Sequence, residues 1–141
     1  MLREARQIAG HSPRAALLIA FSAFEIGIKQ HVAAQVPEAS WLITNAPTPP
    51  VDKIFNKYLA ELHKTVPFPE AVQKLRLGKQ LQEFTKVRNA LAHRGVLGQG
   101  ELVRYLSLTR NALYLLDWLQ GCEWAKDRLD NDFREAFCQS A

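Results

Sequence analysis

Cysteine is scarce in this chain, and no apolar run is long. Cys122 and Cys138 are too few for a disulfide framework or a zinc site, so a reducing, cytoplasmic setting is expected. The longest apolar run, Ala15 to Phe24 (AALLIAFSAF), is too short to span a bilayer. Arg14, Glu25 and Lys29 bracket it, and it reads as a buried core helix with no membrane partner. Leu2-Arg3-Glu4-Ala5-Arg6 is followed by Gln7 rather than by an apolar stretch and a small-residue cleavage site, so no secretory leader is expected. Gly95, Gly98 and Gly100 lack the Lys-Ser/Thr and the preceding strand of a phosphate-binding loop. Ser22 has no histidine and acid at a hydrolase spacing. Sustained strand alternation, internal repeats and low-complexity tracts are also missing.

Helical signals are abundant. With 141 residues, 48% of them hydrophobic, the chain is expected to fold as one domain over 1–141 with a packed core. Ser12-Pro13 is a helix start, with serine as cap and proline first, and that helix should run to Gln35, before Pro37. A shorter turn over Leu2 to Ala9 precedes it. Asn45 to Pro50 reads as loop. Ile54, Phe55, Tyr58, Leu59 and Leu62 give helical spacing across Asp52 to His63. After the Pro67-Phe68-Pro69 break, Glu70 to His93 reads as one helix, closed by a loop at Gly95, Gly98 and Gly100. Glu101 to Leu119 is strongly apolar and helical, with Gly121 ending or bending it. A last amphipathic helix, about 123–138, runs through Ala125, Leu129, Phe133 and Phe137. The expected fold class is all-α, an up-and-down bundle of four to five helices. Trp41, Trp118 and Trp124 read as core or interface residues rather than base-stacking platforms.

Charge is unevenly placed. The net charge is +4 and the pI about 9.3. From Lys74 to Arg94 there are six basic residues against one acid, Glu83, while the last forty-one residues hold five basic and seven acidic ones. Two charged residues fall where charge is costly. Glu25 is the only charged side chain between Arg14 and Lys29 in the apolar first long helix. An advance of about 100° per residue puts Leu77, Leu81, Phe84, Val87 and Leu91 on one stripe, and Arg88 falls inside it. An arginine aimed at a core must be paired or face a cleft, so a Glu25–Arg88 contact is expected. A purely structural ion pair is the plain alternative. Asn89 and His93 are four apart and share a helix face with Lys86, so the Asn amide can bond the imidazole and fix its tautomer. Arg88 and His93 lie about 140° apart on an ideal helix. They meet at one phosphate only if the helix frays before Gly95 or a second copy faces the first. His93 can also serve simply as a C-terminal partner of the helix dipole. His11, His31 and His63 have no ligand-like spacing and read as surface or partly buried residues.

The stretch Arg88-Asn89-Ala90-Leu91-Ala92-His93-Arg94-Gly95 (RNALAHRG) resembles the motif of the HEPN superfamily: an arginine, a polar residue directly after it, and a histidine a few residues on, late in a bundle helix. AALLIAFSAFEIGIKQ is similar to the first core helix of several HEPN families, in which an acidic residue faces the motif helix. The resemblance covers about Ala5 to Leu119. Arg6 and His11 repeat the bare spacing, but Gln7 follows Arg6 and His11 precedes a helix start, so they form no second site. The resemblance implies a metal-independent endoribonuclease without cofactors, acting as a homodimer on RNA, as in toxin–antitoxin or defence systems. An antitoxin or a fused domain would be a further partner. Arg88, Asn89 and His93 would be catalytic, Glu25 supporting, and Lys86 and Arg94 RNA-binding. The same resemblance also admits a non-catalytic dimerisation or RNA-binding module, part of a longer protein.

Overall fold

The computed structural model describes residues 1–9, 11–47, 49–63, 68–94 and 99–138, without the side chains of residues 92–94 and 99. The described residues are helical almost throughout, and none of them forms a strand. A short α1 (Leu2–Ile8) leads into α2 (Pro13–Gln35). The Ala15 amide donates to Ser12 Oγ at 3.3 Å and Pro13 fills the first helical position, so the start of α2 is fixed by its cap. At 23 residues and a hydropathy of 1.3, α2 is long and apolar enough to cross a membrane. Half of that apolar stretch is buried within the protein, with Leu17, Phe21, Phe24, Ile28 and Val32 in the common core. Around α2 pack α1, α3 (Ser40–Asn45), α7 (Leu77–Arg94) and α8 (Gln99–Leu119).

Between α3 and α7 the chain forms α4 (Val51–Lys53), a π turn (Ile54–Tyr58), α5 (Leu59–Leu62) and α6 (Phe68–Leu75). The π turn follows from the sequence. Val51, Phe55 and Leu59 repeat at strict four-residue spacing, and all three are buried. On a regular helix each such step overshoots a full turn by about 40°, and a wider turn restores the phase.

Three expectations are corrected. The helix expected over Glu70 to His93 is two helices, α6 and α7, separated at Arg76, whose φ of 52° is left-handed. Leu75 and Leu77 both turn inward, yet residues two apart point about 200° away from each other, so one continuous helix cannot bury both stripes. The Gln80 side-chain amide donates to the Leu75 carbonyl at 2.6 Å, satisfying the end of α6. The expected C-terminal helix is also two pieces, a 3-10 stretch (Glu123–Arg128) and α9 (Asn131–Phe137), because Leu129 and the Asp130 cap are extended. Gly100, expected in a loop, lies in the first turn of α8; Gly95, Gly98 and Pro67 lie outside the described residues. Finally, α3 and the 3-10 turn before it (Pro37–Ala39) had no clear signal in the sequence.

Gly121 ends α8 with φ of 103°. Its amide donates to the Trp118 carbonyl and the Cys122 amide to Asp117, the paired bonds of a glycine-terminated helix. The tail is then fastened to α8. Buried Asn111 donates to an Asp130 carboxylate oxygen at 2.9 Å and accepts from the Asp130 amide at 2.8 Å. Arg110 pairs with the same carboxylate and donates to the Arg128 carbonyl at 2.8 Å. Trp118 packs against the core, whereas Trp41 and Trp124 are exposed. Phe137 sits 5.3 Å from Phe68, which is 5.8 Å from Phe55, itself 6.0 Å from Phe24. Aromatic packing thus runs from the tail into α2.

Candidate active site

A second aromatic group positions the motif helix. Phe84 of α7 meets Phe21 of α2 edge-on at 5.0 Å and stacks on Tyr105 of α8 at 4.7 Å. One turn beyond Phe84, Arg88 lies with its guanidinium carbon 4.5 Å from the Phe21 ring centroid, a cation–π contact. Its Nη2 is 3.7 Å from Glu25 Oε1, one turn along α2 from Phe21. The apolar stripe of α7 and the acid of α2 thus meet as their spacing suggests.

The geometry decides how Arg88 can be used. The Glu25 contact is an ion pair by distance but longer than a hydrogen bond. Arg88 Nε is buried without a partner, and among the described residues no hydrogen bond reaches the guanidinium. The side chain is 30% exposed and that of Glu25 20%. The arginine is therefore held by a ring face and a long-range charge at the rim of the core. Its Nη donors stay available to an oxyanion.

Asn89 and Lys86 are not gathered around it: both are exposed, and neither makes a hydrogen bond to Arg88. The backbone of His93 and Arg94 is the last turn of α7; their side chains lie outside the described residues. Because α7 stays helical through Arg94, positions 88 and 93 lie about 140° apart around the helix axis. The sole acid of the basic segment, Glu83, is engaged elsewhere. It accepts from Arg104 of α8 at 2.6 Å, and this bond, with Lys79 and Lys86 adding charge, holds its carboxyl below the usual range.

One polar cluster was missed by sequence reasoning. His31 is fully buried in α2 and its Nε2 lies 2.9 Å from Nε2 of His63, just after α5. Gln120, at the end of α8, reaches His31 Nδ1 at 3.1 Å. If the Gln120 amide donates to Nδ1, His31 carries its proton on Nε2 and donates it to His63. One chain of bonds then ties three helix ends, with both rings neutral. Burial pushes the His31 pKa down to about 4, with the neighbouring His63 ring acting in the same direction, and burial also lowers His63. Reading these histidines as surface or partly buried residues fails for His31. No group of three or more His, Cys, Asp or Glu side chains among the described residues is placed to hold a metal ion.

Comparison with family models, with characterised proteins and with solved structures finds no match to this chain.

Proposed function

We propose that the chain is a HEPN-type, metal-independent endoribonuclease that acts as a homodimer, its helices forming the up-and-down bundle of that superfamily. The observation that carries this reading is Arg88, a part-exposed guanidinium seated on Phe21 beside Glu25 with no hydrogen bond from a described residue. A side chain so placed leaves hydrogen-bonding capacity unused, and its planar Nη donors fit a phosphate.

RNA brings its own nucleophile. The ribose 2′-oxygen attacks the adjacent phosphorus as the bond to the 5′-oxygen breaks, leaving a 2′,3′-cyclic phosphate and a 5′-hydroxyl. A base takes the 2′-hydroxyl proton and an acid supplies one to the leaving oxygen, roles suited to an imidazole such as His93 near neutral pH. Arg88 would bind the non-bridging oxygens, whose charge grows in the transition state. Asn89 would orient the imidazole, and Lys86 and Arg94 would attract the backbone in a salt-dependent way. The cytoplasm would be the setting, and an antitoxin or a fused domain a further partner.

The test is cleavage of a mixed RNA pool in EDTA by the wild type and by His93→Ala, matched for fold and dimer content. Cyclic-phosphate ends from the wild type alone are expected. RNA bound but uncut by both proteins would replace the enzyme with a non-catalytic RNA-binding module.

A further inference from the structure

Far from Arg88, a cavity of about 390 Å³ opens between α2, α3 and the π turn, lined by Val32, Leu42, Ile43, Pro50, Ile54 and Tyr58 among others. Its volume is in the range of small-molecule sites, roughly 300–1,000 Å³. Val32 is seven residues beyond Glu25 on α2, about 10 Å along the axis, so the two sites are separate.

Three observations bear on an occupant. The wall is almost entirely carbon, and its rim is left open to solvent: Leu42 is 69% exposed, and its neighbour Trp41 is 76% exposed. Ile54 and Tyr58 both belong to the π turn, the wide turn that brings residues four apart onto one face, and such turns frequently mark functional sites. The same two residues also form the edge of a second depression, completed by Lys53, Lys57 and Glu61. An apolar chamber thus continues into a region with two ammonium groups, Lys53 and Lys57, and one carboxylate, Glu61.

We propose that this groove binds a single-chain anionic amphiphile, a fatty-acid-type carboxylate. Its alkyl chain fills the carbon-lined cavity and its head group meets Lys53 and Lys57. The length of the chain is set by the cavity and the sign of the head group by the lysines. An uncharged alcohol would keep the first interaction only, and a quaternary ammonium would oppose the second.

Isothermal titration with octanoate, decanoate and dodecanoate, each below its micelle concentration, tests this directly. One-to-one binding is expected, tightening by about three- to fourfold per added methylene until the cavity is full. Reversing both rim charges, Lys53→Glu with Lys57→Glu, should weaken decanoate by about tenfold, and Leu42→Glu should weaken it similarly; all three positions are exposed, so the fold is retained. Decyltrimethylammonium binding as tightly as decanoate would overturn the proposal, as would affinities unmoved by these variants. No binding at any chain length, with self-association lost in Leu42→Glu, would overturn it too and give the face to a second copy of the chain.

Discussion

Burial holds the His31 imidazole at a pKa of about 4, against 6.5 for the free group, with His63 adding to the same direction. Between those two pH values the unfolded chain binds a proton at this position that the folded chain refuses. Stability is therefore present above pH 6.5 and is lost as the pH falls toward 4, where the loss levels off. His31 should contribute about 2 kcal/mol of the fall in the free energy of unfolding between pH 7.5 and 5, read from urea melts, with His63 adding to it. That window stays above the range in which Glu83 and Asp130, both held low by hydrogen bonds, take up protons. His31→Leu should flatten the dependence, and an unchanged slope in that variant would refute the assignment. The burial of His31 was misread, the residue passing for a surface or partly buried one, although it follows Leu17, Phe21, Phe24 and Ile28 in the three-and-four spacing of the buried face of α2. Its partner was not legible, because His63 lies 32 residues away and no local pattern joins them. Arg88 was legible as an intruder in an apolar stripe, and Glu25 was the matching intruder opposite. What the pattern could not convey was the length of their contact, set by how far apart α2 and α7 lie.

Elements were legible where a cap or an unbroken stripe defined them. Ser12-Pro13 fixed the start of α2 and Gly121 the end of α8, each through bonds now seen. Breaks without glycine or proline were not legible. The α6–α7 boundary is the example, since Arg76 offers no turn chemistry and only the change of phase between Leu75 and Leu77 betrays it. A left-handed arginine costs about 1–2 kcal/mol relative to an ordinary helical conformation. Glycine removes that penalty but adds back roughly 0.5–1 kcal/mol of chain entropy in the unfolded state. Arg76 is exposed, so little packing is lost on truncation. Arg76→Gly should therefore raise stability by about 0.5–1 kcal/mol in a denaturant melt. A loss of stability would show instead that the arginine side chain contributes more than its backbone costs. The split of the C-terminal helix at Leu129 and Asp130 is a similar case, decided by Asn111 and Arg110 capturing Asp130 from α8, contacts between distant segments.

At the scale of the whole molecule, the shape of α7 constrains the proposed chemistry more than any one side chain does. With the helix intact through Arg94, positions 88 and 93 lie about 140° apart around its axis. Under the proposed function, a phosphate bound at Arg88 would then call for a histidine from elsewhere. A two-fold dimer that set a second α7 against the first would resolve this and make two equivalent sites. If each site takes Arg88 from one protomer and His93 from the other, single variants complement. Arg88→Ala and His93→Ala, each inactive alone, form heterodimers in which one site has lost both residues and the other keeps both. Random exchange at equal concentration puts half of all dimers in that state, each with one of two sites intact. Cleavage should therefore recover to about a quarter of the wild-type rate after the two proteins are unfolded and refolded together. Mixing without subunit exchange should recover none. A co-refolded mixture that stays inactive, with heterodimers verified by differential tagging, would rule out the shared site.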